Sequence, residues 1–365
     1  MTVKKFFKRL SISASKTSPH STPPATPTSP ASAGKEVHVN GIAPLENGEA
    51  KQRRFHEFKN VGYILPNDEE EQERLEIQHK FIKMLLGDKN YPDGTMKNPK
   101  VIVDVGCGTG LWAIEVAREF PSAQVHGLDI SDIQPTNAPE NTTWHKVNVC
   151  DGLPFEPSSV DFIQIRFLPS LSEPVIQLRE RPTVMKYCLE ALRPGGVLLL
   201  LELSEDRSPN GTLCPSKREF YDLRTSAVAK KPKEQLPAHG ASARIGKLIR
   251  GMLEEVGGFR DIHWMTKDIP IGPWVDYGAG STLVFRARML KCLCHATPDE
   301  RMKEIGAMQL RNSLLLFDSF AAGMKHELGL DPVLVDELCR KAKEEMQEPH
   351  RHVYWPYDFA WGFKI

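Results

Sequence analysis

From residue 100 onward, short apolar runs alternate with stretches whose apolar positions recur at helical spacing. Lys100–Val105, Gln124–Asp129, Thr142–Val149 and Val160–Phe167 have strand length, and Val197–Leu203 is apolar throughout. Between them, Leu111–Phe120 and Thr183–Leu192 read as helices, the second ended by Arg193-Pro194-Gly195-Gly196. Apolar strands joined by helices at this spacing predict βαβ units: an α/β, doubly wound, mostly parallel sheet covered on both faces. Beyond residue 207 the pattern loosens. It predicts a helix over Ala243–Val256, a strand over Phe259–Asp268, helices over Asp299–Lys325 and Pro332–Gln347, and a closing aromatic run, Tyr354–Phe363.

Upstream, Leu75, Ile77, Phe81, Ile82, Leu85 and Leu86 form one apolar stripe behind Asp68-Glu69-Glu70-Glu71, and Gly87 closes it. Acids in a first turn serve the helix dipole, with Asn67 or Asp68 as cap, so they receive no catalytic role. The first fifty residues are different in kind. Ser18-Pro19-His20-Ser21-Thr22-Pro23-Pro24 and its continuation offer almost nothing to bury, which predicts a disordered tail. The expected organisation is a Ser/Thr/Pro-rich tail over 1–50, a helical segment over 51–98, and a folded domain over 99–365 with helical additions at about 207–258 and 299–347.

Composition narrows the function. The 47 basic and 47 acidic residues balance, so no direct nucleic-acid binding is expected. Seven scattered cysteines suit a reducing compartment, and Cys292, Cys294 and His295 lack a second ligand pair, so no metal site is assigned. No apolar run is long enough to span a bilayer. The expected location is cytoplasmic or nuclear. The basic, apolar start Lys4-Lys5-Phe6-Phe7-Lys8-Arg9-Leu10 suits a mitochondrial presequence, a nuclear import signal or a weak membrane-surface contact, and equally a solvated tail with no address.

The chemistry concentrates in Val101-Ile102-Val103-Asp104-Val105-Gly106-Cys107-Gly108-Thr109-Gly110-Leu111. A buried strand enters a glycine loop that opens a helix, where free N–H groups favour a polar or anionic ligand group. A dinucleotide fingerprint would need a third glycine at position 111, which is Leu. The spacing G-x-G-x-G, with Asp104 two residues ahead, resembles the first motif of class I S-adenosylmethionine-dependent methyltransferases. That resemblance implies a Rossmann-like seven-stranded sheet and S-adenosyl-L-methionine as cofactor. Asp104 suits the ligand's ammonium group, and Gly106, Gly108 and Gly110 form the cradle. Asp129, 19 residues after Gly110, suits the ribose hydroxyls. The end of the third strand points Asn148 at the adenine, with Asp151 as the weaker candidate; Ile130 and Arg166 join the cofactor-binding set. Arg193-Pro194-Gly195-Gly196 before the fifth strand matches as well.

Further stretches are similar to fungal LaeA-type methyltransferases: Gly62-Tyr63-Ile64-Leu65-Pro66-Asn67-Asp68-Glu69-Glu70-Glu71-Gln72-Glu73-Arg74-Leu75, Trp112-Ala113-Ile114-Glu115, Ile133-Gln134-Pro135, Asp161–Arg166, Ile269–Trp274 and Tyr354-Trp355-Pro356-Tyr357. This closer resemblance spans roughly residues 55–365. It implies a fungal source, a link to secondary metabolism, and a C-terminal helical insertion before the last strand that covers the substrate pocket. Two functions follow: methylation of a small-molecule acceptor, or nuclear regulation beside velvet-type protein partners. The loose, basic region 207–242, with Lys230-Lys231-Pro232-Lys233, departs from family habit on the substrate side. His239, His263, His326 and His350 are the histidines considered as base, none in a diagnostic setting, so catalytic residues stay unassigned. Tyr63, Trp112 and Phe167 are the aromatics considered for the sulfonium or adenine, with core packing the leading role for Trp112.

Overall fold

Strand order, more than strand count, determines where a ligand can bind in this molecule. In the computed structural model the chain falls into two units, Met1–Lys51 and Gln52–Ile365. The described residues are 53–58, 63–168, 181–204, 214–228, 245–273, 298–348 and 351–365, all in the second unit. The expected tail, and Lys230–Lys233, lie outside them.

The second unit holds a seven-stranded sheet: β1 Val101–Val105, β2 Gln124–Asp129, β3 Thr142–Lys146, β4 Val160–Arg166, β5 Leu192–Leu203, β6 Phe259–Pro270 and β7 Tyr354–Lys364. Their order across the sheet is β3-β2-β1-β4-β5-β7-β6. Neighbours from β3 to β5 run parallel, and β7 runs antiparallel between β5 and β6. The winding reverses between β1 and β4, which opens a crevice at the carboxyl ends of those strands. Both central strands are apolar because both sheet faces are covered.

Among the described residues seven helices accompany the strands: α1 Glu69–Leu85, α2 Leu111–Glu119, α3 Arg181–Ala191, α4 Pro215–Val228, α5 Ile245–Val256, α6 Pro298–His326 and α7 Pro332–Met346. On one face, Trp112, Ala113 and Val116 of α2 pack on Ile102, Val125 and Phe162. On the other, Val184 and Cys188 of α3 and Ile249 and Leu253 of α5 cover Val103, Ile163 and Leu198. A third cluster gathers α1, α4, α6 and α7 around the ends of β5 and β7, with Phe81, Phe220, Phe317 and Tyr357 at its centre. In the chain, α6 and α7 stand between β6 and β7.

Helix α6 approaches its neighbours closely enough to require glycine. A Cβ on Gly323 would lie 1.9 Å from the Ile64 carbonyl oxygen, and one on Gly306 would lie 2.1 Å from that of Gly272. A buried polar seam reinforces the contact. Arg74 donates to Glu71 at 2.7 and 3.0 Å and to Asn312 Oδ1 at 3.0 Å, while Ser319 donates to Glu71 at 2.6 Å. Asp68 caps α1, accepting from the Glu71 N–H at 3.1 Å.

Three local expectations require correction. The Arg193-Pro194-Gly195-Gly196 run lies within β5 and does not precede it: the helix ends at Ala191, Leu192 pairs with Val160, and pairing resumes at Phe162 with Val197. The intervening residues bulge out, with Gly195 at φ 78° and Arg193 ion-paired to Asp161. The third strand stops at Lys146, short of Val149. Asn148 there turns its side chain back to accept from the Cys150 N–H at 3.1 Å, which opens a single 3₁₀ turn, Val149–Asp151, in competition with the ladder. The loose region after 207 contains a full helix, α4. Its inward face carries Lys217 and Arg224 beside Phe220, with Lys217 Nζ 4.1 Å from the Trp355 ring centroid and Arg224 Cζ 4.6 Å from that of Phe320. Cations seated on aromatic rings erase the apolar period that would reveal such a helix.

Candidate active site

The glycine loop leaves β1 at the switch point and is fastened before it reaches α2. Gly106, Gly108 and Gly110 have φ of 73°, 53° and 74°, left-handed values that side chains beyond glycine rarely adopt. The Gly106 and Cys107 N–H groups donate to the Leu128 carbonyl at 2.8 and 3.0 Å. Asp129, at the end of β2, then spans two loops, accepting from Gly108 N at 2.8 Å through one oxygen and from Ser131 N at 2.8 Å through the other. Gln134 closes the junction, donating to the Gly108 carbonyl at 2.7 Å and the Ser131 carbonyl at 3.0 Å. The loop is therefore held in place by backbone bonds and by the Asp129 and Gln134 side chains, before any ligand arrives.

Above this loop lies a cavity whose lining includes Gly106, Gly108, Asp129, Ile130, Asn148 and Arg166, the greater part of the expected cofactor set. Tyr63, Trp112 and Phe167 also line it. Trp112 is at the same time a core residue: it is buried, stacked on Phe162 at 6.2 Å, and its Nε1 donates to the Asn90 carbonyl at 2.7 Å.

Gly110 and Asp104 are not part of that lining. A Cβ on Gly110 would lie 2.5 Å from Trp144 Cη2, so this glycine makes room for a tryptophan packed under the loop. Asp104 is buried in β1, with Oδ1 accepting from Gln164 Nε2 at 3.2 Å and Oδ2 lacking a hydrogen-bond partner among the described residues. Burial pushes its carboxyl above the usual range, while the Arg166 charge and the Gln164 bond oppose the rise. Burial likewise raises Asp129, against the N–H donors of Ser131, Gly108 and Ile130. A buried carboxylate oxygen left open, beside a glycine cradle and a second buried carboxylate, fits a ligand that brings its own cation and hydroxyls. The residues present thus suit S-adenosylmethionine. Asn148 lines the cavity, although its side-chain oxygen is already committed to the Cys150 N–H.

Among the histidines considered, His263 stacks on Trp361 at 5.3 Å and His326 on Phe55 at 4.3 Å, and neither lines the cavity. His239 and His350 lie outside the described residues, as do Cys292, Cys294 and His295. The histidine that does line the cavity is His79, which sequence reasoning passed over. Its Nδ1 lies 3.3 Å from Arg166 Nη1 and its Nε2 3.2 Å from Glu115 Oε2. A signal was present: His79 stands four residues after Leu75 and three before Ile82, on the apolar stripe of α1, where a histidine is unlikely to face water.

Comparison with known proteins bears on this geometry. A methyltransferase-domain family profile matches residues 102–196, from β1 to the bulge in β5. Methyltransferase pytC of Aspergillus terreus is 28% identical over 315 residues, covering 84% of each chain. Methyltransferase str3 of Strobilurus tenacellus is 29% identical over 212 residues, 58% of this chain and 71% of that protein. The protein-methionine methyltransferase laeA of Emericella nidulans is 29% identical over 253 residues, 64% of this chain and 62% of that protein. No helix among the described residues is long and apolar enough to cross a membrane. With a β3-β2-β1-β4-β5-β7-β6 sheet and a fastened glycine loop at its switch point, the chain is an S-adenosylmethionine-dependent methyltransferase, similar to fungal methyltransferases that include laeA.

Proposed function

We propose that this methyltransferase acts on a small, largely apolar acceptor in secondary metabolism. One observation carries the reading: the cavity that begins at the glycine loop and Asp129 continues along Tyr63, Leu65, Leu75, Ile82, Phe167 and Leu168. Such a wall takes up an apolar body, with Arg74, Gln78 and His79 in the same lining to orient its polar groups. Relatives named as fungal methyltransferases, and laeA, which is also named a secondary metabolism regulator, supply the metabolic context.

Gly106 and Gly108 would admit the cofactor close to the backbone, Asp104 would meet its cationic group, and Asp129 would take the ribose hydroxyls. Ile130 and Asn148 would border the adenine, and Arg166 would face the carboxylate end. Bound there, S-adenosylmethionine supplies a methyl group on a positive sulfonium. The chain's own contribution is positioning, which in favourable systems is worth roughly 7–11 kcal/mol. Tyr63 is not a base: burial, then the charges of Glu71 and Asp129, push its phenol up, so it stays protonated. His79 Nδ1 is engaged by Arg166. These constraints favour an acceptor that is nucleophilic without help from a protein base.

Calorimetric titration with S-adenosylmethionine, using NAD as control, tests the cofactor. Mass spectrometry of small phenolic, amine and thiol acceptors incubated with the protein and cofactor tests the acceptor. A methylated product from the protein alone supports the proposal. No product together with co-purification of a velvet-type partner would favour the regulatory reading.

A further inference from the structure

One row of polar side chains crosses from α2 to β4 through α1. Glu115, on α2, accepts from Lys83 Nζ at 2.6 Å and faces His79 Nε2 at 3.2 Å. His79, on α1, faces Arg166 Nη1 with its Nδ1 at 3.3 Å. Arg166, at the end of β4, lines the cavity with its Cζ 5.9 Å from the Trp112 ring centroid. His79 is buried and borders two spaces at once, the cofactor cavity and an outer groove that also carries Glu115 and Lys83.

We propose that His79 is a positioning residue: in its neutral form, with the proton on Nε2, it accepts from Arg166 and holds that guanidinium in the wall of the cofactor cavity. The inference rests on the cofactor reading above. A guanidinium has no acceptor and keeps its charge, so the ring nitrogen facing it must carry the lone pair. The proton is thereby placed on Nε2, toward the Glu115 carboxylate. Without His79, the Arg166 side chain would lose its hydrogen bond to α1 and could turn toward Asp104 or Glu115, the carboxylates that attract it.

The same geometry makes the arrangement sensitive to acid. A proton added to Nδ1 would point at the guanidinium 3.3 Å away and place two cations in contact. The charged groups around the ring are Glu115 on α2, Lys83 on α1 and Arg166 on β4. Glu115 favours the imidazolium; the two cations oppose it. Burial opposes it most strongly, and the balance holds the imidazole below its ordinary pKa. Contact with His79 and Lys83 in turn holds Glu115 down to about 2, against burial, so the carboxylate is ionised throughout. Arg166 is therefore held at neutral pH and released once His79 charges.

Two variants separate positioning from simple structure. His79→Asn keeps an acceptor near the Nδ1 position and cannot titrate, whereas His79→Leu has no acceptor. In calorimetry with S-adenosylmethionine near pH 8, His79→Asn should bind within about threefold of the unsubstituted chain and His79→Leu on the order of tenfold or more weaker. As the pH is lowered from 8 through the range below the ordinary imidazole value, the unsubstituted chain should lose affinity and His79→Asn should lose much less. In the ligand-free protein, long-range ¹⁵N–¹H NMR should show the His79 proton on Nε2. A proton on Nδ1, full affinity in His79→Leu, or equal acid sensitivity in His79→Asn would overturn the proposal. The NMR result decides even if His79→Leu does not fold. If the unsubstituted chain binds no S-adenosylmethionine while the tautomer is as stated, the cofactor reading fails and the His79–Arg166 contact stands.

Discussion

The two walls of the cavity are built from different materials. On the β1–β2 side, backbone N–H groups of Gly106, Cys107, Gly108 and Ser131 do the holding, anchored on Leu128 and Asp129. On the α1 side, side chains do it: Arg74 with Glu71 and Asn312, and His79 with Arg166 and Glu115. Backbone amides do not titrate and lose no rotamer entropy, so the first wall rests mainly on donors fixed once the sheet forms, with Asp129 as their one titratable acceptor. The second depends on buried charges remaining paired, and it also depends on α6 staying docked.

Breaking the α1 wall should have the largest consequence. Arg74→Leu leaves Glu71 charged, buried and short of its partner, and should cost about 3–5 kcal/mol in urea denaturation. The double variant Arg74→Leu/Glu71→Leu should recover much of that loss. No recovery would mean that the seam fixes geometry in addition to balancing charge. Asp129→Ala attacks the other wall. Two N–H donors lose their acceptor and the proposed ribose contact is removed, so calorimetry should show affinity for S-adenosylmethionine weakened on the order of 100-fold. Its melting temperature should move less than that of Arg74→Leu; the reverse ranking would erase the distinction between the walls.

Gly323→Ala tests the docking of α6 directly. Its Cβ would meet the Ile64 carbonyl at 1.9 Å, and the overpacking should cost about 1–3 kcal/mol. Gly251→Ala on α5 has open space around its Cβ and should instead be neutral or stabilising by up to about 1 kcal/mol, read from paired thermal melts. The smallest effect is a gain. Burial raises the Asp104 carboxyl, so its stabilising contribution is present below the unfolded value and lost as pH rises through the folded one. Asp104→Asn should thus stabilise the ligand-free chain near neutral pH by about 1 kcal/mol, roughly 2–4 °C in Tm. The gain should fade as pH falls toward about 4, while cofactor affinity is reduced. Stabilisation without weaker binding would remove Asp104 from the site.

Legibility follows the same division. The glycine loop could be read because left-handed dihedrals demand glycine, and Asp129 because a strand-helix-strand unit fixes the distance from loop to second strand end. β2 was read to the residue, Gln124–Asp129, since both its ends change polarity sharply. His79 was missed because its role depends on Arg166, 87 residues away, and on Glu115, neither of which has a fixed sequence offset from it. Helix α4 falls within the helical addition expected at about 207–258, but its bounds could not be read because Lys217 and Arg224 face inward onto rings from β7 and α6.

By itself, then, the chain determines the α/β sheet, the switch-point loop and the cofactor class, because local dihedral demands and apolar periods act over a few residues. Tertiary structure alone decides that Gly110 serves Trp144 and the Pro-Gly-Gly run bulges within β5. It also decides that a histidine on an apolar helix face holds an arginine across the cavity. Those outcomes turn on which distant atoms share a few ångströms, and no periodicity encodes that.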